Sequence, residues 1–238
     1  MTYKEIYDIA MPEKKRKEER WNVWVTISVR PLSILCTIPF TRTKVKPTTI
    51  TKWSVIANLL GFFLVAFAQS MTLKLVGWLF FFVWAVLDGV DGNLARSTNQ
   101  CSSMGDLWDT TGGYAAMVLI YFSAGIAAFY DNSLYSFCDV YWMIILGGAT
   151  AVISIFPRLV MHKKKSSNID DESVKAISDK QNFSLSKIAA MNIVSPSGFM
   201  QVIFLLSIVF HVLNFFSVFY FAVNMGIMAM SLRGLLKE

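Results

Sequence analysis

The sequence predicts an all-α, polytopic membrane protein: six transmembrane helices preceded by an amphipathic helix lying in the membrane interface. Three observations carry that expectation. Of the 238 residues, 55% are hydrophobic and only 16% charged, against about 25% charged in a typical soluble domain. Several apolar runs exceed the roughly 18 residues that mark a membrane span. The basic residues collect just beside those runs, where topology signals and anionic headgroups account for them. The net charge of +6 therefore needs no nucleic-acid partner. At this length the chain reads as a single domain over 1–238, with a cytosolic tail and interfacial helix in 1–47 and a six-helix bundle in 48–238.

The elements follow in order. The first twenty residues are polar and end in Lys14, Lys15, Arg16, Lys17, Glu18, Glu19 and Arg20, which reads as a cytosolic N-terminus without a signal peptide. In 21–40, Asn22, Thr26, Arg30, Ser33 and Thr37 draw one polar stripe along an otherwise apolar helix, a pattern that suits the interface plane. Charge supports this. Arg42, Lys44, Lys46 and Lys52 follow the stretch, and a second basic cluster precedes it, so a crossing would leave one cluster outside. The spans are then 48–69, 71–96, 106–130, 137–162, 198–212 and 214–234. The last two are one long apolar run, divided at Asn214 because a single helix would overrun a core about 30 Å thick. His162, Lys163, Lys164 and Lys165 close the fourth span on the inside, and Arg233 and Lys237 close the sixth there. Loop 131–136 carries no Lys or Arg, and Lys74 is the one basic residue placed outside. Residues 163–196 form a cytosolic loop whose Asp170, Asp171 and Glu172 read as a solvated face. Cys36, Cys101 and Cys138 show no paired spacing, which indicates neither zinc nor a disulfide framework.

Chemistry concentrates at the end of the second span. Asp88-Gly89-Val90-Asp91-Gly92-Asn93-Leu94-Ala95-Arg96 is followed, eight residues on, by Gly105-Asp106-Leu107-Trp108-Asp109. Ionised carboxylates at the end of an apolar span are costly unless paired or metal-bound, so they read as functional. Asp88 and Asp91 share a helix face, and a short turn around 97–105 is expected to bring the next helix back antiparallel with Asp109 in its first turn. Three carboxylates then converge at the membrane edge. Oxygen-only ligation suits Mg²⁺ or Mn²⁺, which commonly hold a diphosphate. Gly89, Gly92 and Gly105 allow close approach, and Arg96 is placed to meet a phosphate or a carboxylate. A dry structural network of the carboxylates with Arg96 is the alternative. A transporter fits poorly, because transporter sites lie near the midplane rather than at a span end.

These residues resemble the CDP-alcohol phosphotransferase (phosphatidyltransferase) family, whose motif is D-x2-D-G-x2-A-R, a spacer of eight or nine residues, then G-x3-D-x3-D. Asp88, Asp91, Gly92, Ala95, Arg96, Gly105 and Asp109 match it position by position. Arg30-Pro31-Leu32-Ser33, and Pro47 with Thr51, look like the family's upstream pattern. The resemblance implies that Asp88, Asp91 and Asp109 bind Mg²⁺ or Mn²⁺, and that Asp88, Gly92, Ala95, Arg96 and Gly105 surround the CDP moiety. It marks Thr51 as a candidate substrate contact and Asp109 as catalytic. It further implies a homodimer that transfers a substituted phosphoryl group from a CDP-alcohol to an acceptor hydroxyl, releasing CMP on the cytosolic side.

The match breaks at its last position, where Gly113 stands for the aspartate that is the family's favoured general base. Three readings follow: a substitute base, for which Asp106 is the nearest unused carboxylate; a pocket widened by Gly112-Gly113, with metal activation sufficient; or a binding paralogue without turnover. Asp106 is equally an acid favouring a helix N-terminus. Arg158, near the inner end of the fourth span, could hold a substrate phosphate or snorkel to headgroups. His211, Asn214 and Asn224 are expected to be interhelical hydrogen-bond partners.

Overall fold

The computed structural model describes residues 1–19, 21–131, 140–166 and 185–235. Among them every regular element is helical: α1 (Tyr3–Ala10), α2 (Glu13–Glu19), a π-turn (Val25–Val29), α3 (Arg30–Phe40), α4 (Pro47–Phe67), α5 (Met71–Ser97), α6 (Ser103–Tyr130), α7 (Val140–Ser166), α8 (Leu185–Val194), α9 (Phe199–Val209) and α10 (Leu213–Leu235). Five of these, α4, α5, α6, α7 and α10, are long and apolar enough to cross a membrane. This is a multi-pass membrane protein. Phe81, Trp84, Ile120, Tyr121, Phe204 and Tyr220 fill its buried centre. Outward-facing residues such as Phe63, Leu79, Val152 and Met230 are apolar, as a lipid-facing surface requires.

The fifth predicted span is realised as α9, whose 11 residues extend only about 16 Å. The apolar run breaks at His211, not at Asn214: His211 has φ of 56°, and its imidazole lies 3.3 Å from Asp131 at the end of α6. α9 is held inside the bundle, where the Trp78 indole of α5 donates to the Gln201 carbonyl at 2.8 Å. Asn224 behaves as expected, donating across to the Tyr121 hydroxyl at 3.3 Å. The acidic patch and most of loop 131–136 lie outside the described residues, while α8 forms within the stretch expected to be loop.

Along α3 the polar stripe is turned inward, not to water, while Thr26 in the π-turn before it stays exposed. Ser33 and Thr37 of α3 are fully buried, whereas Ile27, Leu32 and Leu35 are exposed. α3 packs on α5 at Gly89, where a Cβ would come within 2.7 Å of Ser33 Cβ. Apolar residues outside and polar ones against the bundle is the pattern of a helix packed beside spans, in surroundings where apolar surface costs little. The expected antiparallel α5–α6 pair is also altered. The two helices meet chiefly near their shared turn, and α4 packs against both.

Candidate active site

The turn between α5 and α6 builds the site. α5 ends with Thr98 N–H on the Leu94 carbonyl at 2.9 Å, and Asn99 takes the left-handed conformation (φ 54°) that Asn tolerates. Ser102 then caps α6 by accepting from the Gly105 amide at 3.1 Å. This turn sets Asp109 of α6 beside Asp88 of α5, with their carboxylates in hydrogen-bonding reach. Asp91 is directed elsewhere. It is 4% exposed, and its Oδ2 accepts from the Thr51 hydroxyl of α4 at 2.5 Å.

Two cavities meet at Asp109. The smaller, about 190 Å³, lies between the start of α4 and the α5–α6 turn and is lined by Thr51, Asp91, Gly92, Ala95, Gly105, Asp106 and Asp109. The larger, about 610 Å³, lies among α6, α7 and α10 and is lined by Asp88, Asp109, Gly113, Tyr114, Arg158 and His162, with Met117, Ile153, Ile227 and Met228 at its apolar walls. Asp109 borders both, so a molecule in one cavity and a molecule in the other would approach each other at its carboxylate.

Most of the sequence-derived site residues are gathered here. Gly92, Ala95 and Gly105 share the smaller cavity with Asp91 and Thr51. Asp106 belongs to this side too, and does not line the cavity that Gly113 faces. Arg158 opens into the larger one. Arg96 lines neither. It folds back over Gly92, its Nη2 donates to Asn93 Oδ1 at 3.3 Å, and its buried Nε has no hydrogen-bond partner. Among the described residues no carboxylate lies within ion-pair distance of Arg96, and no three acidic, His or Cys side chains form a closed metal cage. Asp88 against Asp109 is nonetheless an all-oxygen pair whose like charges need a proton or a cation between them, and that fits a hard divalent ion. Lys52 lies over the Trp108 ring at 5.5 Å, a cation–π contact between α4 and α6.

Sequence reasoning missed several contributors. Tyr114 has a buried hydroxyl without a partner and sits edge-on to His162, with ring centroids 6.1 Å apart. In the sequence His162 and Lys15 carry only a topology signal. Glu19 of α2 holds Arg30 by both carboxylate oxygens, at 2.6 and 2.7 Å from Nη2, with Lys15 3.5 Å away. Burial first, then Arg96 and Arg30, pull Lys15 from the ordinary 10.5 to about 8, against the opposing pull of Glu19. Asn93 bridges Arg30 and Arg96 through one oxygen and donates to Ser33 at 3.2 Å.

A 74-residue stretch is 35% identical to cholinephosphotransferase 1 of Danio rerio, covering 28% of this chain and 19% of that protein. The chain thus matches about a fifth of that relative's length. The description of the CDP-alcohol phosphatidyltransferase family fits a much longer stretch, residues 44–230, which carries the smaller cavity, all of the larger one's lining but Ser231, and all three motif carboxylates. The protein is a member of the CDP-alcohol phosphatidyltransferase family.

Proposed function

We propose that the protein transfers a substituted phosphoryl group from a CDP-alcohol to an acceptor hydroxyl, releasing CMP, in the synthesis of a phospholipid or a lipid-linked conjugate. The observation that carries this reading is Asp109 standing between a small cavity walled by the motif glycines and a larger one walled in part by Met117, Ile153, Ile227 and Met228. In this reading the nucleotide occupies the first, over Gly92, Ala95 and Gly105, and the acceptor occupies the second. Apolar walls there suit a lipid. Asp88 and Asp109, with Asp91 held in place by Thr51, would hold Mg²⁺ or Mn²⁺. Such an ion neutralises the donor's diphosphate and the charge that develops on the leaving group. A cytosolic site and a homodimeric assembly belong to the same reading, supported by the charge distribution and by the family.

The proton needs another carrier, because position 113 has no side chain. His162 lines the acceptor cavity with Gly113, and an imidazole nitrogen there can accept a proton as a general base. The acceptor O–H would give its proton to the imidazole, its oxygen would bond to the phosphorus bearing the alcohol, and the bond to CMP would break. His162→Gln is expected to lower kcat, and Gly113→Asp placed in that background to recover part of it. No loss in His162→Gln would return the step to metal activation alone.

The deciding experiment measures CMP release by the purified protein with Mg²⁺ or Mn²⁺, a panel of CDP-alcohols and a membrane-lipid extract. CDP-choline is the first donor to try, given the relative's name. Metal-dependent release that disappears in Asp91→Asn is the expected result. Binding of a CDP-alcohol without release would favour the second reading, an inactive paralogue, for which the missing aspartate at Gly113 is the one specific argument.

A further inference from the structure

Residues 1–43 precede the stretch that the family description matches, yet α2 is not a loose tail. Glu19 is bonded to Arg30, and Lys15 lies 3.5 Å from the same carboxylate. Arg30 and Arg96 share Asn93 Oδ1, at 3.4 and 3.3 Å. Three cationic side chains from α2, α3 and α5 are therefore drawn around one small region beside the carboxylate site. Among the described residues Glu19 is the one carboxylate in ion-pair contact with any of them. That leaves an excess of positive charge, and Arg96 Nε is a buried donor with nothing to donate to. Buried charge without a counter-charge is costly and is retained where a ligand supplies the missing anion.

We infer that Lys15, Arg30 and Arg96 form an anion site for the diphosphate of the donor, so that α2 contributes a substrate-binding lysine from outside the family's matched region. The inference rests on the donor being a CDP-alcohol. The position of the cluster agrees with the role: Gly92, against which Arg96 folds, also walls the smaller cavity, and Lys15 lies close enough to Asp109 to act on its charge. The diphosphate would lie with the carboxylate-held cation on one side and these three side chains on the other. The depressed proton affinity of Lys15, driven first by burial, is what an empty cationic site produces.

The experiment compares Lys15→Met, Lys15→Arg and, as a surface control, Lys14→Gln, all as the full chain in nanodiscs of neutral lipid. Donor KM and kcat for CMP release are measured together with direct calorimetric binding of CDP-choline and CMP. Lys15→Met should raise the donor KM and weaken CDP-choline binding by about tenfold, the size of a lost charge-assisted contact, with kcat changed little. Lys15→Arg should restore most of the binding, and Lys14→Gln should match the wild type. Turnover with an unchanged donor KM in Lys15→Met would overturn the inference while leaving the transferase reading intact. Absence of CDP-alcohol binding in the wild type would instead overturn the reading on which it rests. A Lys15 effect seen only when anionic lipid is added would assign the cluster to a headgroup phosphate and reject the donor.

Discussion

At the residue scale, the arrangement separates side chains that act directly from those that hold them. Thr51 belongs to the second kind. Its hydroxyl fixes Asp91 at 2.5 Å in a buried setting, and a hydrogen bond to a charged group contributes about 1.5–3 kcal/mol. Thr51→Val keeps the shape and removes the donor, so kcat/KM for CMP release should fall roughly 10-fold or more, with helix content by circular dichroism unchanged. Lys15 makes a prediction of the opposite kind, about stability. Its folded-state proton affinity is lowered to about 8, below the unfolded value near 10.5, so between those values the unfolded chain binds more protons. Stability must then rise with pH across that window. The melting temperature of the wild type, measured relative to Lys15→Met, should climb from pH 8 toward pH 10 and stay flat below pH 8.

At the element scale, the contact of α3 with α5 decides whether the cationic side of the site exists. Ser33 and Arg30 reach Asn93 because the two helices touch at Gly89, where a Cβ would lie 2.7 Å from Ser33 Cβ. Gly89→Val should push α3 away, lower the melting temperature and reduce donor binding. Gly113→Ala, at a position where a Cβ meets nothing within 4 Å, should leave folding unchanged. Legibility divides along the same line. Asp88, Asp91, Gly92, Ala95, Arg96, Gly105 and Asp109 were readable because one turn carries them all, and local spacing fixes their grouping. Lys15, Tyr114 and His162 were not, because the approach of α2 to Arg30 and of α6 to α7 comes from packing that no short-range spacing records. The polar stripe of 21–40 was read correctly as a stripe, but its direction depended on what α3 packs against. The short α9 shows the same limit, since its break at His211 follows from contacts with α5 and α6.

At the scale of the whole molecule, one arrangement links topology to chemistry. The α5–α6 turn, the start of α4 and the end of α7 must share a membrane side for the two cavities to open where a water-soluble nucleotide can enter. In the reading proposed above that side is in the cytosol, on the strength of the charge distribution. Cys101 lies exposed in the turn and lines the smaller cavity, and Cys36 is exposed on α3. In a variant retaining Cys101 as its single cysteine, a membrane-impermeant maleimide should react in vesicles that present the cytosolic face outward and not in sealed vesicles of opposite orientation. A variant retaining only Cys138, beside the loop without basic residues, should show the reverse. Labelling of Cys101 should also slow when CDP-choline and Mg²⁺ are present together, because the nucleotide would fill the cavity that the thiol borders. Protection without orientation dependence would mean that the turn is reached from both sides, and the cytosolic placement would fall while the nucleotide site stood. Orientation dependence without protection would keep the topology and move the nucleotide out of the smaller cavity.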